Sequence, residues 1–313
     1  MRLLLTGCAG FIGFHTAQKL LSNGCYILGI DNLDDYYCQK LKKNRLELLT
    51  NNKNFKFKNC DINKFFIDEK NFDAVIHLAA QPGVRLPKSM HHKYMHANID
   101  GFEHIIDQAS KNNIRRFIYA SSSSVYSGNT KVPYCESHKL ENPTSLYGKT
   151  KLNNELFADK FIEKMKIIGL RFFTVYGPWG RPDMAYFSFT KKIKENTEII
   201  LYNHGDTQRD MTYIDDISDG ILQSLLKVDS IDGHAIFNLG NTKPVNTKYL
   251  ISLIEERYGK EAKIKYLDIK NEVKITLADI TKAQTLINYA PKISIDSGLK
   301  LFFDWYDAYY GKM

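Results

Sequence analysis

"RLLLTGCAGFIGFHTAQKLLSNGCYILGID", residues 2–31, is the stretch that decides the fold. Leu3 to Leu5 form an apolar run of strand length. "FIGFHTAQKLLSNG", residues 11–24, has helical periodicity and stops at Gly24. "CYILGI", residues 25–30, reads as a second strand, with Asp31 at its end. Gly7, Gly10 and Gly13 fall between the first strand and the helix. Glycines there permit a tight turn and close backbone approach, and the helix start presents free N–H groups to a pyrophosphate. A glycine pattern alone is a weak signal, but strand, glycines and helix in this order are the required setting. A carboxylate ending the second strand accepts from a ribose 2′-hydroxyl and repels a 2′-phosphate. Asp31 therefore favours NAD over NADP. Asp61, closing the next strand-like segment, is placed to meet the adenine edge.

The same rhythm continues outward. "FKFKNCD" (55–61), "FDAVIHLA" (72–79), "RFIYAS" (116–121) and "KIIGLRFF" (166–173) read as strands, with helical patterns at 98–112 and 145–165. Alternating β and α predicts an α/β fold with a doubly wound parallel sheet of Rossmann type. After about Tyr176 the rhythm loosens through "GPWGRPDM", although "AIFNLGN" (235–241) still reads as a sheet strand. The expected division is a nucleotide-binding part, 1–175 plus about 212–243, and a smaller, discontinuous C-terminal α/β substrate part, about 176–211 plus 244–313.

The 313 residues are 43% hydrophobic and 25% charged, ordinary for a globular chain. The net charge of +8 raises the possibility of nucleic acid or an anionic ligand. The lysines are scattered in short groups such as Lys42-Lys43 and Lys191-Lys192, which read as solvated surface and argue against nucleic acid. The five cysteines have no paired spacing, so a disulfide framework is not expected and a reducing cytoplasm fits. "LLLTGC" resembles a lipoprotein cleavage site, but its apolar stretch is far shorter than the roughly 7–15 residues of a signal core. Runs of about 18 apolar residues are absent, so no membrane span is expected.

Two further features carry chemistry. In "YGKTK", Tyr147 and Lys151 stand four apart in a helical stretch and share a face. A cation about 5 Å from a phenol, at an effective dielectric of about 20, favours the phenolate by about 3 kcal/mol. That would lower a pKa near 10 by about two units and make Tyr147 a general base or acid. In "RRFIYASSSSVYSGNT", residues 115–130, four serines follow a strand. A serine run is usually a flexible linker. Strand carboxyl ends, however, are where ligands sit in such sheets, which argues for a site.

Together "TGCAGFIG", "DIN" at 61–63, "HLAAQPGVR", "NIDG", "SSSSVY", "YGKTK", "RFFTVYGP", "RDMTYIDD" and "ADITKA" resemble the extended short-chain dehydrogenase/reductase family of nucleotide-sugar epimerases and dehydratases. The resemblance covers nearly the whole chain. "DNLDDYY" (31–37), "QPGVR" (81–85) and "GLRFFTVYGPWGRPDMA" (169–185) are most similar to UDP-glucuronate 4-epimerases.

That resemblance implies NAD as cofactor, in contact with Gly7, Gly10, Phe11, Ile12, Gly13, Asp31, Asn32, Asp61, Ile62, Leu78, Ala79, Ala80, Asn98, Tyr147 and Lys151. It implies a catalytic set of Ser122, Tyr147 and Lys151, with Ser122 hydrogen-bonding the sugar 4-oxygen and the Tyr147 hydroxyl. Ser121 is then structural. Related dehydratases carry an Asp-Glu pair where this chain has Ser123 and Ser124. Neither serine can protonate a leaving hydroxyl, so 4,6-dehydration is disfavoured, and both suit holding a sugar carboxylate. Thr174, Arg85, Arg181 and Arg209 complete the implied substrate contacts, with Arg85 and Arg181 both open for the carboxylate or the diphosphate. A homodimer through the helices near 98–112 and 145–165 is implied as well.

The expected activity is NAD-dependent 4-epimerisation of a UDP-hexuronate through a transient 4-keto sugar. The rivals are an epimerase or keto-sugar reductase for another nucleotide sugar, and a non-catalytic NAD-binding regulator. "NEVK" (271–274) and "LINYAP" (286–291) depart from the family pattern at the C-terminal nucleotide contacts. His91, His92 and His96 cluster locally, but no carboxylate or cysteine ligand accompanies them in sequence, so no metal is expected.

Overall fold

The computed structural model describes residues 1–68, 71–268 and 273–311. The first half is built from β1 (Arg2–Thr6), α1 (Phe11–Ser22), β2 (Tyr26–Asp31), α2 (Gln39–Thr50), β3 (Phe55–Asn59), β4 (Ala74–His77), the short α3 (His91–Tyr94), α4 (Gly101–Lys111), β5 (Arg116–Ser122) and α5 (Leu146–Ala158). Then follow β6 (Lys166–Phe172), β7 (Thr174–Tyr176), α6 (Ala185–Lys194), β8 (Ile199–Tyr202), β9 (Gln208–Tyr213), α7 (Ile214–Lys227) and β10 (His234–Leu239). The chain closes with β11 (Pro244–Asn246), α8 (Thr247–Tyr258), β12 (Ile264–Leu267), α9 (Thr281–Ile287) and α10 (Ile295–Tyr310).

Seven strands form one sheet in the order β10-β6-β5-β4-β1-β2-β3. Every pairing in it is parallel. Its central strands are apolar on both faces, as a sheet covered by helices on each side requires. The strand order reverses between β1 and β4, which opens a crevice at their carboxyl ends. The glycine turn after β1 and the 78–85 segment after β4 both enter that crevice.

β10 is the outer strand beside β6, and α7 packs on α1, so the chain returns to the large sheet after crossing the second region. In that region β7, β9 and β11 form a three-stranded sheet, and β8 pairs with β12. A continuous buried core runs from Phe14 through Tyr176 and Tyr186 to Phe302 and Tyr306.

Two helix boundaries differ from the sequence expectation. The 98–112 helix begins as a π-helical turn over residues 95–100. There the Asn98 carbonyl accepts a tertiary bond from Asn154 Nδ2 at 2.6 Å. The 145–165 helix ends at Ala158, after which the chain turns toward β6. Among the described residues no helix is long and apolar enough to cross a membrane.

Candidate active site

The turn after β1 depends on two glycines. Gly7 has φ +74°, and a Cβ there would stand 2.6 Å from the Ala79 backbone nitrogen. A Cβ on Gly13 would stand 2.0 Å from the Gly7 carbonyl oxygen. The first-turn N–H groups of α1 have no intrahelical acceptor, and Gly10 at the cap has no side chain to offer one. The turn is thus a cradle of free donors fitted to a diphosphate.

Asp31, at the end of β2, is buried. Its carboxylate accepts from Ala9 N at 3.0 Å and Leu33 N at 2.8 Å. Burial raises its pKa above the usual carboxylate range, against the pull of Lys42 and of those two N–H groups. Lone pairs remain on both oxygens for ribose hydroxyls. Asp61 accepts from Asn63 N at 2.9 Å and pairs with His96 Nε2 at 2.9 Å. Burial pushes Asp61 up, and the His96 and Asn63 bonds outweigh it, so its pKa is lowered. Asn32 Nδ2 stands 3.5 Å from Asp61 Oδ2. These groups can hold the sugar and base of an adenosine.

The serine run divides because alternate strand residues face opposite ways. Ser121 Oγ donates backwards to Glu155 Oε1 at 2.5 Å. Ser122 Oγ accepts from Ser124 N and donates to Ser124 Oγ, both at 3.1 Å, and its hydroxyl acts on the Tyr147 phenol to lower its pKa. Ser123 and Ser124 open the tight turn that follows β5. Tyr147 is one helical turn before Lys151 on α5, a helix capped by Ser145 Oγ accepting from Gly148 N at 3.0 Å.

The electrostatics of this pair correct the sequence estimate. Burial raises the Tyr147 pKa, and the largest opposing influence is the charge of Arg181, followed by the Ser122 hydroxyl. Lys151 does not lower the phenol as expected. Its ammonium lies 5.9 Å from the ring centroid and donates to the Ala120 carbonyl at 2.9 Å. Burial lowers Lys151 itself to about 8, against the Glu155 carboxylate.

Arg181 forms a two-pronged ion pair with Asp183, Nε to Oδ1 at 3.0 Å and Nη2 to Oδ2 at 2.6 Å. Tyr36 donates to the same carboxylate at 3.2 Å. Arg85 sits over the Tyr202 ring at 4.8 Å, and Arg209 Nη1 donates to the Gln208 carbonyl at 2.9 Å. Thr174 starts β7.

Apart from Asn98, every residue named from the sequence for the site lines one cavity of about 1110 Å³. Asn98 lies behind its wall. Its Nδ2 donates to the Gln81 carbonyl and Thr150 Oγ1, both at 3.1 Å, and its Oδ1 accepts from Gln81 N at 2.8 Å. It braces the 81–85 segment from below. Asn271 and Glu272 of the departing stretch lie outside the described residues; Val273 lines the cavity. In the other departing stretch Tyr289 is buried and donates to the Gly240 carbonyl at 3.0 Å.

Two surface expectations are corrected. Lys42 is only 7% exposed, because it lies 4.7 Å over the Tyr37 ring and donates to the Asp34 carbonyl at 2.6 Å. The histidine cluster does meet a carboxylate, since folding brings Asp61 to His96; His91 and His92 face carbonyls of Leu86 and Ser89 instead. No group fit to hold a metal ion occurs among the described residues. Sequence reasoning missed Tyr36, Asp183 and Arg45. The first two lie inside the subgroup stretches, which were a usable signal. Arg45 lies in "KLKKNRL", which reads as a solvated basic face.

The model of the NAD dependent epimerase/dehydratase family matches residues 3–240. A protein of Methanocaldococcus jannaschii with no assigned function is 44% identical, over 97% of this chain and 95% of its own. UDP-glucuronate 4-epimerase 2 of Arabidopsis thaliana is 40% identical, over 98% of this chain and 76% of its own. The crystal structure of UDP-glucuronic acid 4-epimerase from Bacillus cereus with UDP-glucuronic acid and NAD has a TM-score of 0.90 at 35% identity, covering 99% of this chain and all of that one.

Proposed function

The chain belongs to the NAD-dependent epimerase/dehydratase family, and on that premise we propose that it interconverts UDP-glucuronate and UDP-galacturonate by epimerisation at C4. The observation that carries this reading is that Tyr147 and Ser122 line the same cavity as the glycine turn, with serines where a dehydratase has acids.

The cavity fits NAD: the glycine turn and the start of α1 take the diphosphate, and Asp31 and Asp61 take the adenosine. When bound, NAD supplies the acceptor that takes hydride from C4 and returns it. Tyr147 accepts the 4-hydroxyl proton and later gives it back. Ser122 holds the sugar oxygen and the phenol in line. Arg181, the charge acting most on the phenol, stabilises the phenolate and stands at the reacting end to meet the sugar carboxylate. Ser123, Ser124 and Thr174 donate to that carboxylate and keep it in place, since a 4-keto hexuronate readily loses carbon dioxide. Arg85 and Arg209 are assigned to the diphosphate side. Residues of about 176–211 and 244–313 form the part that takes the nucleotide sugar.

A homodimer through α4 and α5 belongs to the same reading, supported by the exposure of Leu156 and Met95 on that side. So does a product destined for a cell-surface polysaccharide. Incubation with UDP-glucuronate and resolution of products by NMR tests the activity. Turnover of UDP-galactose or another nucleotide sugar, with UDP-glucuronate recovered unchanged, would reject the substrate. Gel filtration tests the dimer.

A further inference from the structure

Arg45 occupies a core position of α2 beside Leu41, Leu46 and Leu49, and its side chain is fully buried. Arginine is almost never buried without a paired carboxylate. Here all the acceptors are neutral. Nη1 donates to the Ala9 carbonyl at 2.8 Å and the Tyr37 hydroxyl at 2.7 Å. Nη2 donates to the carbonyls of Trp179 and Gly180. Nε finds no acceptor.

The two ends of this fork belong to different halves of the site. Ala9 is in the glycine turn, and its N–H is held by Asp31. Trp179 has the left-handed φ of +58°, a conformation that persists only where neighbours enforce it. Arg181 follows two residues later. From the same 33–45 segment, Tyr36 reaches Asp183, the partner of Arg181. Arg45 itself does not line the cavity.

We propose that Arg45 is a positioning residue that couples the cofactor turn to the sugar-side cation. It holds the 179–183 turn so that Arg181 faces Tyr147, and it ties that hold to the backbone that receives the diphosphate. Lysine does not reproduce it, because its three donors share one nitrogen and lack the planar fork by which Nη1 and Nη2 reach opposite sides. The inference rests on the reading of the cavity given above.

The test uses the NAD-loaded protein with Arg45→Lys, Arg45→Met, Arg181→Met and the Arg45→Met/Arg181→Met pair. Arg45→Met is expected to lower kcat for UDP-glucuronate by about 100-fold with NAD still bound. Its pH profile should move to higher pH, as in Arg181→Met, because the phenol loses the cation that acts most on it. The double variant should be no worse than Arg181→Met. Without any sugar, NAD should slow hydrogen exchange at the amides of residues 179–184 in the native protein and not in Arg45→Lys. That arm stands even if UDP-glucuronate is not the substrate, and it serves if Arg45→Met fails to fold. Additive losses in the double variant, or NAD-dependent protection retained in Arg45→Lys, would overturn the proposal. A fall in Tm with an unmoved pH profile would reduce Arg45 to a packing role and overturn it equally.

Discussion

Lys151 lies beside the ring of Tyr147, 5.9 Å from its centroid, but gives its hydrogen bond to the Ala120 carbonyl and not to the phenol. The lysine therefore anchors α5 to β5, and the phenol is lowered instead by the charge of Arg181 and the Ser122 hydroxyl. This geometry separates the roles of the two residues in ways that substitution can read.

Tyr147→Phe removes the proton carrier and little else. Epimerisation should fall by roughly 10²–10⁴-fold, the range for loss of a general acid–base group. NAD content, measured by absorbance after denaturation, should be unchanged. Full activity in this variant would exclude Tyr147 from the chemistry.

Lys151 has a folded pKa of about 8 against an ordinary value of 10.5, because burial disfavours its charge. Between those values the unfolded chain holds a proton that the folded chain has released, so stability rises with pH. Relative to Lys151→Met, the native protein should gain on the order of 3 kcal/mol between pH 8 and 10.5. Chemical denaturation at a series of pH values measures the difference, and a flat or falling difference would reject the buried charge.

Asp31→Ala should release two backbone donors, Ala9 N and Leu33 N, and remove the negative charge that opposes a 2′-phosphate. A ribose hydroxyl bond to a charged carboxylate contributes roughly 1.5–3 kcal/mol, so NAD affinity should drop about 10–100-fold. The preference for NAD over NADP should shrink with it. Calorimetric titration with both cofactors reads both effects, and an unchanged ratio would move the discrimination elsewhere.

Beneath Ser121, Glu155 and Arg171 form a two-pronged buried ion pair, with Arg171 Nη1 also on the Tyr126 hydroxyl at 2.6 Å. Arg171→Met strands the Glu155 charge and should cost about 3–5 kcal/mol. A Tm lower by about 10 °C is expected. Glu155→Gln combined with Arg171→Met should recover part of that loss. If the double variant is less stable than the single one, the pair is not the source of the penalty.

Much of the fold was legible in residues 2–31 and in the strand series behind them, because strand length, helical period and turn glycines are local properties. The five short strands β7, β8, β9, β11 and β12 were not, since each is held by partners far along the chain. In the site, the glycine turn, Asp31, Ser122, Tyr147 and Lys151 could be named from spacing and resemblance, and folding brings them to one cavity. The split of Ser121 from Ser122 was named from the resemblance, and strand alternation accounts for it in the structure.

The sequence by itself determined the parallel sheet and the diphosphate turn, which follow from neighbours within a few residues, and through its resemblance it supplied the proposed reacting side chains. Only the tertiary structure decided which charge acts on Tyr147, why Lys42 and Arg45 are buried, and that Asn98 braces the cavity from behind. Several of these relations join residues 34 to 135 positions apart, such as Tyr147 with Arg181 and Arg45 with Trp179 and Gly180. Electrostatic influence and burial depend on distance through space, which chain order does not encode.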